Sequence, residues 1–334
     1  MKFTWFIGID VSKKTLDFHL RHQSEGVFHQ QVANTKAGIN AFLRACKKHK
    51  VDFQQAVFCL EHTGVYNELL VEVLLDRNMQ VWVEQSLRVK RSLGIQRGKN
   101  DKLDAYRLSE YAYRFEDKCR LWQPARAVVK QLKDLVALRN RLLKVRKMLK
   151  VPLKEMKASG CGNHVQLINK LNTPVVKQLD KQLKAVEDQI QQLIQQDERL
   201  LRLEQIITSV EGVGPVTAWQ MIITTNEFKN ITCGRKYACY AGVVPFDHSS
   251  GTSIKARPRV SHLANKQVKR LLHMSALSAT VMKGELNEYY KRKVAEGKNK
   301  MSVLNAIRNK LVLRIFACVK ANRKYEKIYM HQLV

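Results

Sequence analysis

Phe6-Ile7-Gly8-Ile9-Asp10-Val11 sets one carboxylate inside an otherwise apolar run. Ser12-Lys13-Lys14 follows as a turn, and Leu16, Phe18 and Leu20 then recur at period two, so residues 3–20 read as a hairpin opening a sheet. Working outward, Ile39-Asn40-Ala41-Phe42-Leu43 has helical character. Ala56-Val57-Phe58-Cys59-Leu60 and Met79-Gln80-Val81-Trp82-Val83 read as further strands, the first of them buried. Leu103, Leu108 and Tyr111 mark a helix from Asp101 to Arg114. Strands interleaved with helices over about 120 residues imply an α/β domain.

Pro124 ends that pattern. Leu132, Leu135, Leu138, Leu142, Val145 and Leu149 recur at three-and-four spacing as far as Pro152. A second run, Leu179, Leu183, Val186, Ile190, Leu193 and Leu200, keeps a heptad register. The two predict an antiparallel hairpin or a coiled coil between chains, with Gly160-Cys161-Gly162-Asn163 as the loop; an ordinary helical connector has the same pattern. Beyond Ile207, Thr208-Ser209-Val210-Glu211-Gly212-Val213-Gly214-Pro215 carries the Gly-x-Gly turn of a helix-hairpin-helix, whose amides can hold a phosphate. A plain tight turn fits those residues equally well. Residues 236–283 read as a compact, polar, glycine-bearing region, followed by a basic helix from about Asn299 to Lys320. The expected organisation is an α/β domain at 1–124, a coiled-coil connector at 125–205 and a mostly helical domain at 206–334.

The chain has 334 residues, 45% of them hydrophobic, enough to build cores in more than one domain. Its formal net charge is +30, from 59 Lys and Arg against 29 Asp and Glu. So cationic a surface repels itself unless a polyanion neutralises it, which makes nucleic acid the leading partner over an acidic protein or a membrane surface. No apolar stretch approaches the roughly 20 residues that span a bilayer. Met1-Lys2-Phe3-Thr4-Trp5 runs directly into a strand, unlike a signal peptide, so a cytoplasmic protein with no membrane partner is expected. The seven cysteines are scattered and form no CxxC pair, which argues against a zinc ribbon or a disulfide framework.

Burying Asp10 in its strand is costly unless something positive compensates it, and Glu61 immediately follows another strand. Asp101 and Asp104 stand three apart, on one face at the start of a helix. Singly, each has an ordinary reading as a turn residue or helix cap. Together they form a set of four carboxylates able to hold a pair of Mg²⁺ ions for phosphodiester chemistry.

Gly8-Ile9-Asp10-Val11-Ser12-Lys13, Glu61-His62-Thr63-Gly64-Val65-Tyr66 and Lys99-Asn100-Asp101-Lys102-Leu103-Asp104-Ala105 resemble the successive motifs of DEDD transposases. These are the insertion-sequence "one-ten" family, related to Piv-type DNA invertases. The resemblance implies an RNase H-like (RuvC-like) N-terminal domain with Asp10, Glu61, Asp101 and Asp104 as catalytic metal ligands. Tyr240-Ala241-Gly242-Val243-Val244-Pro245-Phe246-Asp247-His248-Ser249-Ser250-Gly251 resembles the family's C-terminal signature, which continues through Arg257, Arg259, Ser261, Asn265, Lys269, Arg270 and Leu272. It implies Ser250 as the nucleophile on DNA phosphate, with Ser249 as the competitor; read on composition alone, Ser-Ser-Gly is a turn. His262 and Ala264 depart from the family pattern, which commonly has Lys and Gly there. The resemblance also implies donor and target double-stranded DNA, a structured bridge RNA as a second nucleic acid, and a homo-oligomer with sites assembled between subunits.

The cations are placed to serve such partners. Arg88, Lys90, Arg91, Arg97 and Lys99 lead into Asp101 and Asp104, and would steer a phosphate toward them. Between residues 139 and 157, Arg141, Lys144, Lys147 and five other cations face a single acid, Glu155. A solvated helix face ordinarily alternates sign, so a one-sign stripe points to a phosphate backbone. Lys255, Arg257, Arg259, Lys269 and Arg270 follow the serines with no acid among them. Aromatics are few, against a dedicated single-strand stacking platform. The expected activity is strand exchange at DNA ends through a covalent serine–DNA intermediate. The rival readings are a metal-only junction resolvase or nuclease, and a non-catalytic RNA-binding or architectural protein.

Overall fold

The computed structural model describes residues 2–23, 25–94, 98, 100–159, 162–250 and 254–326; at 162–163, 247–250 and 254–257 the description is of the backbone. The chain divides into two compact units, Met1–Pro124 and Ala125–Val334.

In the first unit the hairpin of β1 (Trp5–Val11) and β2 (Thr15–His22) is extended by β3 (Glu25–Ala33), which the sequence reading had not separated from its neighbours. Helix α1 (Lys36–Lys48) leads to β4 (Ala56–Glu61), and α2 (Glu68–Leu75) to β5 (Gln80–Glu84). The order is β3-β2-β1-β4-β5, with the first three strands antiparallel and β1, β4 and β5 parallel. Such a mixed five-stranded sheet with helices is consistent with an RNase H-like arrangement. One face buries Ile7, Ile9, Leu16, Phe18, Phe58 and Leu60 against α1 and α2. Short α3 (Ser86–Ser92) precedes α4 (Asp101–Arg114), which packs on the opposite face with Phe6, Val57, Cys59 and Trp82.

The seating of α4 depends on Gly8. A Cβ built there would lie 2.1 Å from the Ala105 carbonyl oxygen and 2.2 Å from the Ser109 nitrogen, so the helix backbone occupies the space of a side chain. Beside this contact His19 Nδ1 meets Ser109 Oγ at 2.7 Å, and the Arg21 guanidinium lies 5.4 Å from the centre of the Tyr106 ring.

In the second unit α5 (Ala127–Ala158) runs through Pro152 rather than stopping there. It pairs with α6 (Gly162–Gln195) as an antiparallel hairpin within the chain: Arg139 meets Glu187 at 2.6 Å, and Arg146 meets Asp180 at 2.7 Å. The second heptad run is interrupted before Leu200. Asp197 accepts from the Leu200 amide and starts α7 (Glu198–Thr208). Arg126 binds both Asp197 and the buried Glu227, which fixes the start of α5 to the end of α8 (Pro215–Thr225). After α9 (Gly234–Tyr240) come the antiparallel strands β6 (Pro245–Ser250) and β7 (Ile254–Val260). Then follow α10 (Lys266–Val281), α11 (Glu285–Ala295) and α12 (Lys300–Lys320), the last capped by Asn299 and lying where the sequence predicts a basic helix. A single core joins Val129, Leu132 and Ile190 of the hairpin with Trp219, Tyr237, Leu272 and Leu311. Among the described residues no helix is long and apolar enough to cross a membrane.

Because both atoms that a side chain at position 8 would strike are backbone, they cannot rotate away. Gly8→Ala is expected to destabilise the first unit by about 3 kcal/mol, the upper part of the overpacking range. Urea unfolding followed by Trp82 fluorescence checks this; a midpoint equal to wild type would show that α4 does not rest on this contact.

Candidate functional site

Asp10 lies two residues beyond Gly8 in β1, and period-two alternation puts both on the face that α4 covers. β4 runs parallel to β1 with Leu60 opposite Ile9, so Glu61 ends its strand beside Asp10. Asp101 and Asp104 occupy the first turn of α4, whose cap Asn100 accepts from the Leu103 amide at 2.7 Å. That end of a helix carries partial positive charge and favours carboxylates. Asp104 is paired with Arg107 at 2.8 Å. Among the described residues no Lys or Arg pairs with Asp10, Glu61 or Asp101.

The result is a concentration of like charge. The Asp10 carboxyl is pushed up to about 6, first by burial and then by repulsion from Asp101, Asp104, Glu61 and Asp17. The four sequence-predicted carboxylates therefore share one electrostatic neighbourhood. Among the described residues, however, no three His, Cys, Asp or Glu side chains stand close enough to hold a metal ion as they are. The donor chemistry itself fits a hard divalent cation, being all oxygen and carrying negative charge that the neighbouring side chains leave largely unneutralised.

Two further carboxylates lie here that the sequence reading passed over. Asp17 is opposite Asp10 in register, 3% exposed, and accepts from His29 and Gln31, both at 2.9 Å. Glu84 ends β5 opposite Glu61 and is bound by the Tyr111 hydroxyl at 3.1 Å and by Arg88 at 3.2 Å. Asp17 had a signal: with Leu16, Phe18 and Leu20 on one face of β2, alternation puts Asp17, His19 and Arg21 on the other. Glu84, at the end of a short apolar strand like Glu61, had no signal separating it from a surface acid.

In the second unit Ser249 and Ser250 are the last two residues of β6, opposite Lys255 and Ile254 of β7. Both serines are in strand, while Gly251, the last residue of the turn that composition suggests, lies outside the described residues. Pro245 and Val260 pair at the other end of the ladder. There Gly242, at φ +65°, would drive a Cβ to within 2.3 Å of Ala264 Cβ, so the departure at position 264 is packed against a residue that must stay glycine. Arg257 and Arg259 lie on β7, and Lys269 and Arg270 on α10.

Arg88, Lys90 and Arg91 lie on α3; Arg97 and Lys99 fall outside the described residues. On α5 the one-sign stripe is partly neutralised from across the hairpin, since Glu187 takes Arg139 and Asp180 takes Arg146 and Lys150. Sequence reading along one helix could not see acids supplied by another. Among the described residues Arg141, Lys144 and Lys147 have no ion-pair partner. They line a cleft of about 860 Å³ together with Lys266, Gln267 and Arg270 of α10. The Gly212–Gly214 turn joins α7 to α8, and α10 packs so closely on Gly212 that a Cβ there would lie 2.5 Å from the Ser275 carbonyl oxygen.

Comparison with known proteins places these features in context. A family model described as a transposase of DEDD type matches residues 7–156, and a second, described as the transposase IS116/IS110/IS902 family, matches residues 204–291. The pilin gene-inverting proteins of Moraxella bovis and Moraxella lacunata are each 24% identical over 327 residues, covering 96% of this chain and 98% of theirs. An uncharacterized 43.6 kDa protein of insertion element IS110 from Streptomyces coelicolor is 31% identical over 155 residues, 46% of this chain and 38% of that protein.

The raised Asp10 carboxyl sets a pH dependence. Its folded-state value lies above the ordinary carboxylate value of 3.8, so between about 4 and 6 the folded state holds the proton longer and stability falls as pH rises. Metal-free protein should therefore lose stability across that window, and Asp10→Asn should lose less. Thermal unfolding with chelator at pH 4.5 and 7 checks it; identical pH profiles for the two proteins would mean that Asp10 does not carry the repulsion.

Proposed function

The chain belongs to the IS110 family of DEDD transposases, enzymes related to the pilin gene-inverting proteins, and from that premise we propose that it exchanges DNA strands through a serine–DNA intermediate. The observation that supports the metal half of this reading is the raised Asp10 carboxyl, pushed up first by burial and then by repulsion from Asp101, Asp104 and Glu61. We assign these four residues as ligands of Mg²⁺. A divalent cation bound there supplies Lewis-acid activation of an oxygen and neutralises charge on the phosphate. The N-terminal segment, 1–124, is read as a RuvC-like domain, 125–205 as the coiled-coil connector and 206–334 as the serine-bearing domain.

In the serine half, Ser250 Oγ attacks a backbone phosphorus. A Ser–O–P bond forms as the bridging bond to one deoxyribose breaks, and the serine proton ends on the departing sugar oxygen. A sugar hydroxyl of the second strand then reverses the step, regenerating serine and a joined backbone. Cations on β7 and α10, Lys255, Arg257, Arg259, Lys269 and Arg270, would balance charge on the phosphate. The α5 cations and α3 would hold flanking duplex, and a bridge RNA guiding the choice of site would occupy the same kind of surface, since a phosphate backbone is common to both. A homo-oligomer acting in the cytoplasm on the bacterial nucleoid completes the reading.

Asp10→Asn and Asp104→Asn are expected to abolish recombination while leaving duplex binding within about twofold, as each removes one negative charge and none of the cations that would hold the backbone. Wild-type recombination rates in either variant would remove the ligand assignment. Stalled reactions on nicked DNA should yield a protein–DNA band that survives SDS and disappears with protease, absent from Ser250→Ala and retained in Ser249→Ala. Loss of the band only in Ser249→Ala would move the nucleophile by one residue; Mg²⁺-dependent cutting with no band in any variant would make the protein a hydrolytic nuclease.

A further inference from the structure

Arg308 of α12 is 5% exposed, and among the described residues no carboxylate meets it. Its Nη2 lies 2.7 Å from His273 Nδ1, its Nη1 reaches Asn305 Oδ1 at 3.4 Å, and its Nε has no hydrogen-bond partner. A guanidinium carries five N–H donors and does not shed its proton to escape burial. Other buried charges of this unit are answered: Glu227 is met by Arg126, Arg199 and Lys229, and Glu204 accepts from Trp219 Nε1 at 2.7 Å. Arg308 is left with a weak amide contact and a neutral ring.

The groups around it are cationic or donors as well. Burial and Arg308 together hold Lys269 and His273 below their ordinary values, so the neighbourhood already carries an excess of positive charge. With Nδ1 accepting from Arg308, His273 carries its ring proton on Nε2 as a donor. At 100° per residue, Lys266, Lys269, Arg270 and His273 fall within an arc of about 100° on α10. Lys266 and Arg270 of that arc line the open cleft facing α5, so a cationic face runs from the cleft toward the guanidinium. Asn305, next to Arg308, also donates to the Val243 carbonyl at 2.8 Å, just ahead of β6.

We propose that Arg308, Lys269 and His273 form a seat for one phosphate group of a nucleic-acid backbone, at the inner end of the cationic face that begins in the α5–α10 cleft. An anion there would accept from the free Arg308 Nε–H, from Lys269 and from His273 Nε2–H, and would supply the counter-charge that the protein withholds. Burying a guanidinium unpaired is expensive, and an arriving phosphate removes that cost at the moment of binding. The source of the phosphate rests on the nucleic-acid reading above, whereas the anion chemistry of the seat does not.

The test uses the full-length protein and Arg308→Met, which keeps the volume and removes the charge. In metal-free buffer, inorganic phosphate at ionic strength matched with chloride is expected to raise the wild-type Tm by about 2–4 °C. Arg308→Met should fold at least as stably without phosphate and show no such rise. With a random-sequence duplex, the variant should bind about tenfold more weakly at fixed salt. Its slope of log affinity against log salt should also fall by about 1. A phosphate-dependent rise that persists in the variant overturns the seat. A lost rise with an unchanged salt slope overturns the nucleic-acid source and leaves free phosphate as the ligand. If the wild type itself fails to bind duplex, the functional reading fails while the phosphate arm still judges the seat. Should Arg308→Met not fold, Lys269→Met, at a half-buried position, carries both measurements.

Discussion

Helix α4 can lie on β1 only because position 8 has no side chain. Helix backbone stands where a Cβ would be, with the Ala105 carbonyl 2.1 Å from that point, and the approach decides what happens two residues later. Asp10 emerges on the same face, and the turn of α4 before Ala105 brings Asp101 and Asp104 toward it. With a larger residue at position 8 the helix would ride higher and the carboxylates would separate. Close packing that is apolar at Leu108 and Tyr111 thus forces a concentration of negative charge at its open end. The cost is visible in Asp10, which holds its proton to about 6.

The second unit carries the opposite imbalance. Of the cations on α5, those facing α6 are neutralised by Glu187 and Asp180, which stabilises the hairpin modestly and leaves Arg141, Lys144 and Lys147 toward α10. A formal charge of +30 is therefore not spread evenly. Some of the 59 cations are neutralised in internal pairs, and several of those left without an acid stand in a cleft and at Arg308. Unneutralised carboxylates in one unit and unneutralised guanidinium and ammonium groups in the other are the two charge states that a cation and a polyphosphate would relieve. Membership of a DNA-rearranging family gives both imbalances a use.

Period-two and heptad patterns carried much of the architecture because they record which face of an element is apolar. The β1–β2 hairpin, β4, β5, α4 from Asp101 to Arg114 and the extent of α12 were all legible in the sequence. So was the apolar setting of Asp10, since a carboxylate between Ile9 and Val11 needs a reason. Three kinds of fact were not. Pro152 and Pro174 lie inside long helices whose packing tolerates the lost hydrogen bond, so tertiary contacts overrode a local stop signal. Whether the heptads pair within the chain or between chains is a choice between equal patterns, decided for α5 and α6 by the Arg139–Glu187 and Arg146–Asp180 pairs. Finally, Asp17, Glu84 and Arg308 acquire meaning only from what lies across a sheet or between helices. A sequence determines which residues must be hidden; only the folded chain decides which buried charges find a partner, because that depends on atoms contributed by distant segments.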